Sequence, residues 1–179
     1  MKKIVILFFL FSTKAGFAQD AEFKFSKEGF TDFLVVECEK KTQSELYKKT
    51  LDWVAVTYNT PSEVIKGQIE NDYIRIEGTA KNLISSGTKY QIEISFKDGK
   101  YKFDIIQIEY YFDSGVELTE LKWKEFDIIN TDKYFYKNGE IKRSSKPVWN
   151  RVTKYFNALN SSLKDFLLSE QIPSKKKEW

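Results

Sequence analysis

Histidine is absent from this chain of 179 residues, cysteine occurs once and proline three times. Each gap closes off some chemistry. Without histidine, the usual general base of serine and cysteine hydrolases is missing, and so is any HExxH zinc site. The lone Cys38 can form neither an internal disulfide, a CxxC redox pair nor a thiolate zinc cluster. It sits at the end of a β-branched run, which suits a small buried apolar side chain better than a reactive thiol. There is no GxGxxG and no Walker loop, so no motif calls for a nucleotide or any other cofactor.

Long apolar runs are scarce. The chain opens Met1-Lys2-Lys3, runs apolar from Ile4 to Phe11, and passes Gly16-Phe17-Ala18 before Gln19. A basic start, a short apolar stretch and small residues before the cut predict a secretory signal peptide over residues 1–19, cleaved near Ala18/Gln19. The run falls short of the roughly 20 apolar residues that span a bilayer, and no later segment is a membrane span either. The expectation is export, to the periplasm or the cell exterior. No cysteine near the cut points to a lipid anchor. A single unpaired cysteine in an exported chain of this size fits a bacterial envelope better than a eukaryotic extracellular module.

A surplus of one charge is also missing once the leader is removed. The sequence carries 29 basic and 26 acidic residues, and Lys2, Lys3 and Lys14 account for the whole difference. A nucleic-acid binder needs excess Lys and Arg to displace counterions from phosphates. The predicted mature chain has none, apart from the local run Lys175-Lys176-Lys177, so no nucleic acid is expected as a partner.

Aromatics are plentiful, at 16% of the residues, while Gly and Pro are few. About 160 mature residues with that composition suit one folded domain with a single core. We read 1–19 as the signal peptide, 20–172 as one domain and 173–179 as a basic tail. Glu22 to Asp32 reads as a polar lead-in, and Phe33 to Cys38 as a strand. Thr42 and Glu45 have capping-box spacing for a helix to about Tyr58, with Tyr47, Leu51, Val54 and Tyr58 on one stripe. Asn59-Thr60-Pro61 stops it.

Strands are predicted over 63–70 and 73–80, joined through Asn71-Asp72, and over 90–97, joined by Asp98-Gly99 to one over 101–112. That last strand changes face. Tyr101, Phe103 and Ile105 alternate on one side, then Ile106, Ile108, Tyr110 and Phe112 take the other. Either a bulge shifts the register or the strand is apolar on both faces. Ser114 to Asp132 is irregular, and Tyr134 to Ile141, with Asn138-Gly139, suggests a short extra hairpin. A long helix follows, capped by Ser144 or Ser145 with Pro147 in its first turn. Val148, Val152, Tyr155, Phe156, Leu159, Leu163, Phe166 and Leu167 line one side of it.

The order β-α-β-β-β-β-α makes an α+β chain: a curved antiparallel sheet with two helices packed on one face. The residues Ser44-Glu45-Leu46-Tyr47 leading to Trp53, the Gly67/Gly78 hairpin and Lys97-Asp98-Gly99-Lys100-Tyr101-Lys102-Phe103 carry a further likeness. In them the chain resembles an uncharacterised bacterial exported family described as a domain of unknown function with a TBP-like fold. The likeness runs over about residues 30–112, with the last helix matching loosely. It implies the fold and transfers no functional residue, because function lives in sites.

Two functional readings survive. In the first the chain is a non-enzymatic exported binding module. Its candidate interaction face is Ile106, Ile108, Tyr110 and Phe112, open to an envelope protein, a second copy or a small apolar ligand unless Ser114–Ile141 folds over it. In the second, carboxylates alone run a hydrolase or transferase, or hold calcium. Glu37 with Glu39, and Asp113 with Glu117 and Glu120, are the acids close in sequence, against the plainer reading as solvated surface charge.

Overall fold

The computed structural model describes residues 22–112 and 122–170. The signal peptide read at 1–19 and the basic tail read at 173–179 lie outside the described residues.

The lead-in is more structured than its polarity implies. Phe25–Ser26 (β1) and Gly29–Phe30 (β2) form a two-residue antiparallel ladder, with Gly29 at φ +130° in the turn. Its aromatics anchor it: Phe23 and Phe30 are buried, and Phe25 stacks on Trp149 with ring centroids 3.6 Å apart. β3 (Phe33–Glu37) leads to α1 (Gln43–Thr57), which the sequence places within a residue. The Thr42 side chain accepts from the Glu45 N–H while the Glu45 carboxylate accepts from the Thr42 N–H, so both orphan donors are satisfied.

One helical turn, α2 (Pro61–Val64), delays the next strand, so β4 begins at Ile65. β5 (Tyr73–Ala80), β6 (Thr88–Lys97) and β7 (Lys100–Phe112) follow as antiparallel neighbours. The turns fall at the two predicted places. Asn71 has φ +63° and Gly99 φ +76°, the left-handed geometry that tight hairpins require.

β8 (Lys122–Glu125) was not anticipated, and it pairs with the far end of β7. The predicted 134–141 hairpin reduces to a 3-10 turn over Thr131–Tyr134 and a single bridge, Phe135 to Ile141, around Gly139 at φ +85°. α3 (Lys146–Leu168) closes the described chain. Ser145 stands at its N-cap with no side-chain capping bond.

The sheet runs β3-β7-β6-β5-β4, with β8 beside β3 along the same edge of β7. α1 and α3 cover one face. Leu46, Trp53, Val54, Trp149, Val152, Phe156 and Leu163 meet Ile74, Ile76, Ile92, Ile94, Phe96, Tyr101 and Phe103 in one core. Burial alternates strictly along β5 and β6, as a sheet with one wet face demands.

Candidate functional site

The face change in β7 is a β-bulge. Gln107 pairs with Gln91 and Ile105 with Ile92, which leaves Ile106 as the extra residue. The bulge returns Ile108 and Tyr110 to the helix-covered side, with Tyr101, Phe103 and Ile105. The candidate face therefore separates. Ile108 is 0% exposed in the core, Tyr110 packs half-buried against it, and Ile106 alone stands out at 43%. The side chain of Phe112 lies outside the described residues. Of the two alternatives the sequence left for this strand, the register shift is the one present.

Ile106 marks a different feature. The β3 ladder ends where Phe33 meets Asp104, and the β8 ladder begins where Glu125 meets Glu109, with the Phe126 N–H donating to the Ile108 carbonyl at 2.7 Å. Between them, Ile105 to Gln107 have no strand partner on that edge among the described residues. The result is a notch of about 530 Å3, lined by Phe30–Asp32, Asp104–Ile108 and Glu125–Asn130.

Several large apolar side chains stand exposed around this notch: Phe33 at 48%, Val35, Ile106 and, at 82%, Ile129. Four carboxylates line it, from Asp32, Asp104, Glu125 and Asp127, and no basic side chain does. Asp104 is paired with Lys102 at 3.0 Å and Asp127 with Lys133 at 2.8 Å, both from outside the notch. Asp127 also accepts from the Ile129 and Asn130 N–H groups, forming the turn that presents Ile129. Lys133 and those N–H groups hold the Asp127 carboxyl well below the usual carboxylate range.

The remaining open face of the sheet is charged and self-neutralising. Arg75 pairs with Glu93 at 2.7 Å, Lys66 with Glu77 and Lys89 with Glu109. The segment after β7 does not lie across this face where it is described. β8 extends the edge of the sheet, and Phe126 and Tyr134 turn in to pack on Trp149 beneath it.

Glu37 and Glu39 are both exposed, and Asp113, Glu117 and Glu120 lie outside the described residues. Among the described residues no group of three or more acids, His or Cys could hold a metal ion. Cys38 is fully buried, and desolvation pushes its thiol up, which disfavours the nucleophilic thiolate.

A second polar cluster went unseen in the sequence. The Tyr155 hydroxyl donates to that of Tyr90 at 2.9 Å, and the Tyr58 hydroxyl lies 3.2 Å from the same oxygen. Burial pushes the Tyr58 hydroxyl up to about 12 and raises the other two further. Three neutral phenols tie α1, β6 and α3 together, and none is placed to lose a proton near neutrality. Spread over almost a hundred positions, they leave no local spacing to find.

Residues 33–111 match the family described as "Domain of unknown function (DUF4468) with TBP-like fold". The match covers β3 to β7 and so includes the bulge and one wall of the notch. Two solved structures share the fold. One is a DUF4468 family protein from Bacteroides ovatus ATCC 8483, 11% identical, covering 87% of this chain and 94% of its own, at TM-score 0.58. The other is a TBP-like protein from Parabacteroides distasonis ATCC 8503, 17% identical over 78% of this chain and 92% of its own, at TM-score 0.53. Among curated proteins none matches the chain. The TBP-like, α+β architecture expected from the sequence is the architecture found, and DUF4468 carries no assigned activity.

Proposed function

We propose that this chain is an exported, non-catalytic binding module that engages its partner at the notch in the sheet edge. One observation carries the reading: a stretch of β7 that has no strand neighbour on one edge among the described residues lies between exposed Phe33, Ile106 and Ile129. Sheet edges left bare in soluble domains are normally guarded by charge, proline or a covering segment, because they template further pairing. Apolar side chains around an open edge mark contact with another chain. The leader-like first nineteen residues support export.

The carboxylate-hydrolase reading finds less support. Of the notch acids, Asp127 is shifted toward stronger acidity, whereas a general acid needs its proton held near neutral pH. The balanced charge of the open face argues against phosphate binding there, whatever the fold name suggests.

Native mass spectrometry of residues 20–179, purified from an exporting bacterial host, tests the reading. A stable adduct or dimer in the parent chain that Ile106→Glu or Ile129→Glu abolishes, with the melting temperature unchanged, supports it. A bare monomer in all three proteins overturns it.

A further inference from the structure

We infer that the notch receives an extended, basic segment of a partner protein, which adds to the open edge of β7 and sets lysine or arginine side chains against the Asp32 and Glu125 carboxylates. The inference rests on the binding reading above and names the chemistry of the partner.

The backbone calls for an extended chain. β3 and β8 both run antiparallel to β7 along the same edge, so they are two lengths of one interrupted strand line. The break leaves Ile105 to Gln107 with no strand neighbour there among the described residues. That is about 10 Å of β7, the reach of three extended residues. A peptide added at such an edge gains main-chain hydrogen bonds, and its side chains supply the selectivity.

The charge calls for a cation. On the rest of the open face acids are answered by bases, Glu77 by Lys66, Glu93 by Arg75 and Glu109 by Lys89. Glu125 departs from this pattern. It stands directly opposite Glu109 on the neighbouring strand, a position where like charges repel. Lys89 is already engaged by Glu109 and by the Trp123 ring, 4.6 Å from its centroid. Within the notch, Lys102 and Lys133 serve Asp104 and Asp127. Asp32 and Glu125 make no ion pair among the described residues, and no basic side chain lines the notch.

The apolar side chains around the notch suit the same occupant. Phe33, Ile106 and Ile129 stand exposed beside the acids. They offer surface for the aliphatic stem of a lysine or arginine whose charged end reaches the rim. An acidic or uncharged segment would make the same backbone bonds and leave both carboxylates unanswered.

A synthetic library of seven-residue peptides, randomised over lysine, glutamate, valine and serine, tests this on the immobilised mature chain, residues 20–179. Retained peptides should favour lysine over glutamate by at least about threefold beyond the input ratio, the scale of one exposed ion pair. The preference should vanish in about 0.5 M salt, where charges in water are screened within a few ångströms. It should vanish also in Asp32→Asn/Glu125→Gln, and turn towards glutamate in Asp32→Lys/Glu125→Lys. Both side chains are exposed, so the melting temperature should not move. Backbone N-methylation of a retained peptide should weaken its binding at least about tenfold, because the edge hydrogen bonds are lost. Retention without a lysine preference overturns the inference, as does a preference that neither variant changes. An Ile106-dependent dimer that no retained peptide displaces overturns it in favour of a second copy. The binding reading survives each of these. If no peptide is retained, the inference falls as well: an Ile106-dependent adduct in the mass spectrum then leaves the binding reading standing, and a bare monomer sinks both.

Discussion

At the scale of single residues, Tyr90 and Gly78 show how little freedom the core allows. They face each other across β5 and β6, and a Cβ added at Gly78 would overlap the ring and hydroxyl of Tyr90. Gly78→Ala should therefore cost about 1–3 kcal/mol, the usual penalty of overpacking a filled site. The same change at Gly67, where a Cβ would meet only the Tyr73 hydroxyl at 4.0 Å, should cost under about 0.5 kcal/mol. Chemical denaturation of the two variants reads the contrast, and equal costs would contradict the packing described.

The tyrosine cluster makes a pH prediction at the same scale. Burial raises the folded pKa of Tyr58 to about 12, from an ordinary value of 10.0, so the folded state holds a proton that the unfolded state releases. The stability this contributes is complete below pH 10 and is lost as pH rises toward 12. Each such tyrosine adds a slope of up to about 1.4 kcal/mol per pH unit in that window. Tyr58→Phe should flatten the alkaline limb of the stability curve, which urea titrations between pH 8 and 11.5 can measure.

At the scale of elements, the bulge in β7 is the feature that sequence patterning half revealed. The change from Tyr101-Phe103-Ile105 to Ile106-Ile108-Tyr110-Phe112 was plain in the residue order, because side chains alternate with a period of two. Periodicity cannot say whether the chain or the environment changes. The answer depended on pairing with Gln91 and Ile92, a long-range fact. α1 was legible nearly to the residue because its capping box is local chemistry. The β1–β2 ladder was not, because Phe25 and Phe30 are held by Trp149, more than a hundred residues away. The notch escaped for a related reason: Asp32, Ile106 and Ile129 come from three separate stretches. The bulge predicts unequal neighbours. Ile108→Ala should cost about 2–5 kcal/mol by opening a cavity, and Ile106→Ala less than about 1 kcal/mol. Similar losses at both positions would mean that Ile106 is also packed.

For the whole molecule, the question is where the folding unit ends. The family match spans residues 33–111, yet the core does not close within it. That segment supplies one helix and most of the sheet, while α3 contributes Trp149, Val152, Phe156, Leu163, Phe166 and Leu167 to the buried cluster. Without α3, the apolar sheet face around Tyr101 and Phe103 would lose cover and meet water. At about 25 cal/mol per Å2, exposing roughly 400 Å2 costs about 10 kcal/mol, as much as the 5–15 kcal/mol by which a whole domain is stable. The aromatic hairpin ahead of β3 closes the other end, since Phe23 packs on Phe103 and Phe156, and its backbone is bonded both ways to Asn157. A fragment of residues 33–112 should therefore show no cooperative thermal transition and poorly dispersed amide resonances, whereas residues 20–170 should melt as one unit. A folded 33–112 fragment would show that the matched segment is self-sufficient and that α3 and the hairpin are additions to a finished core.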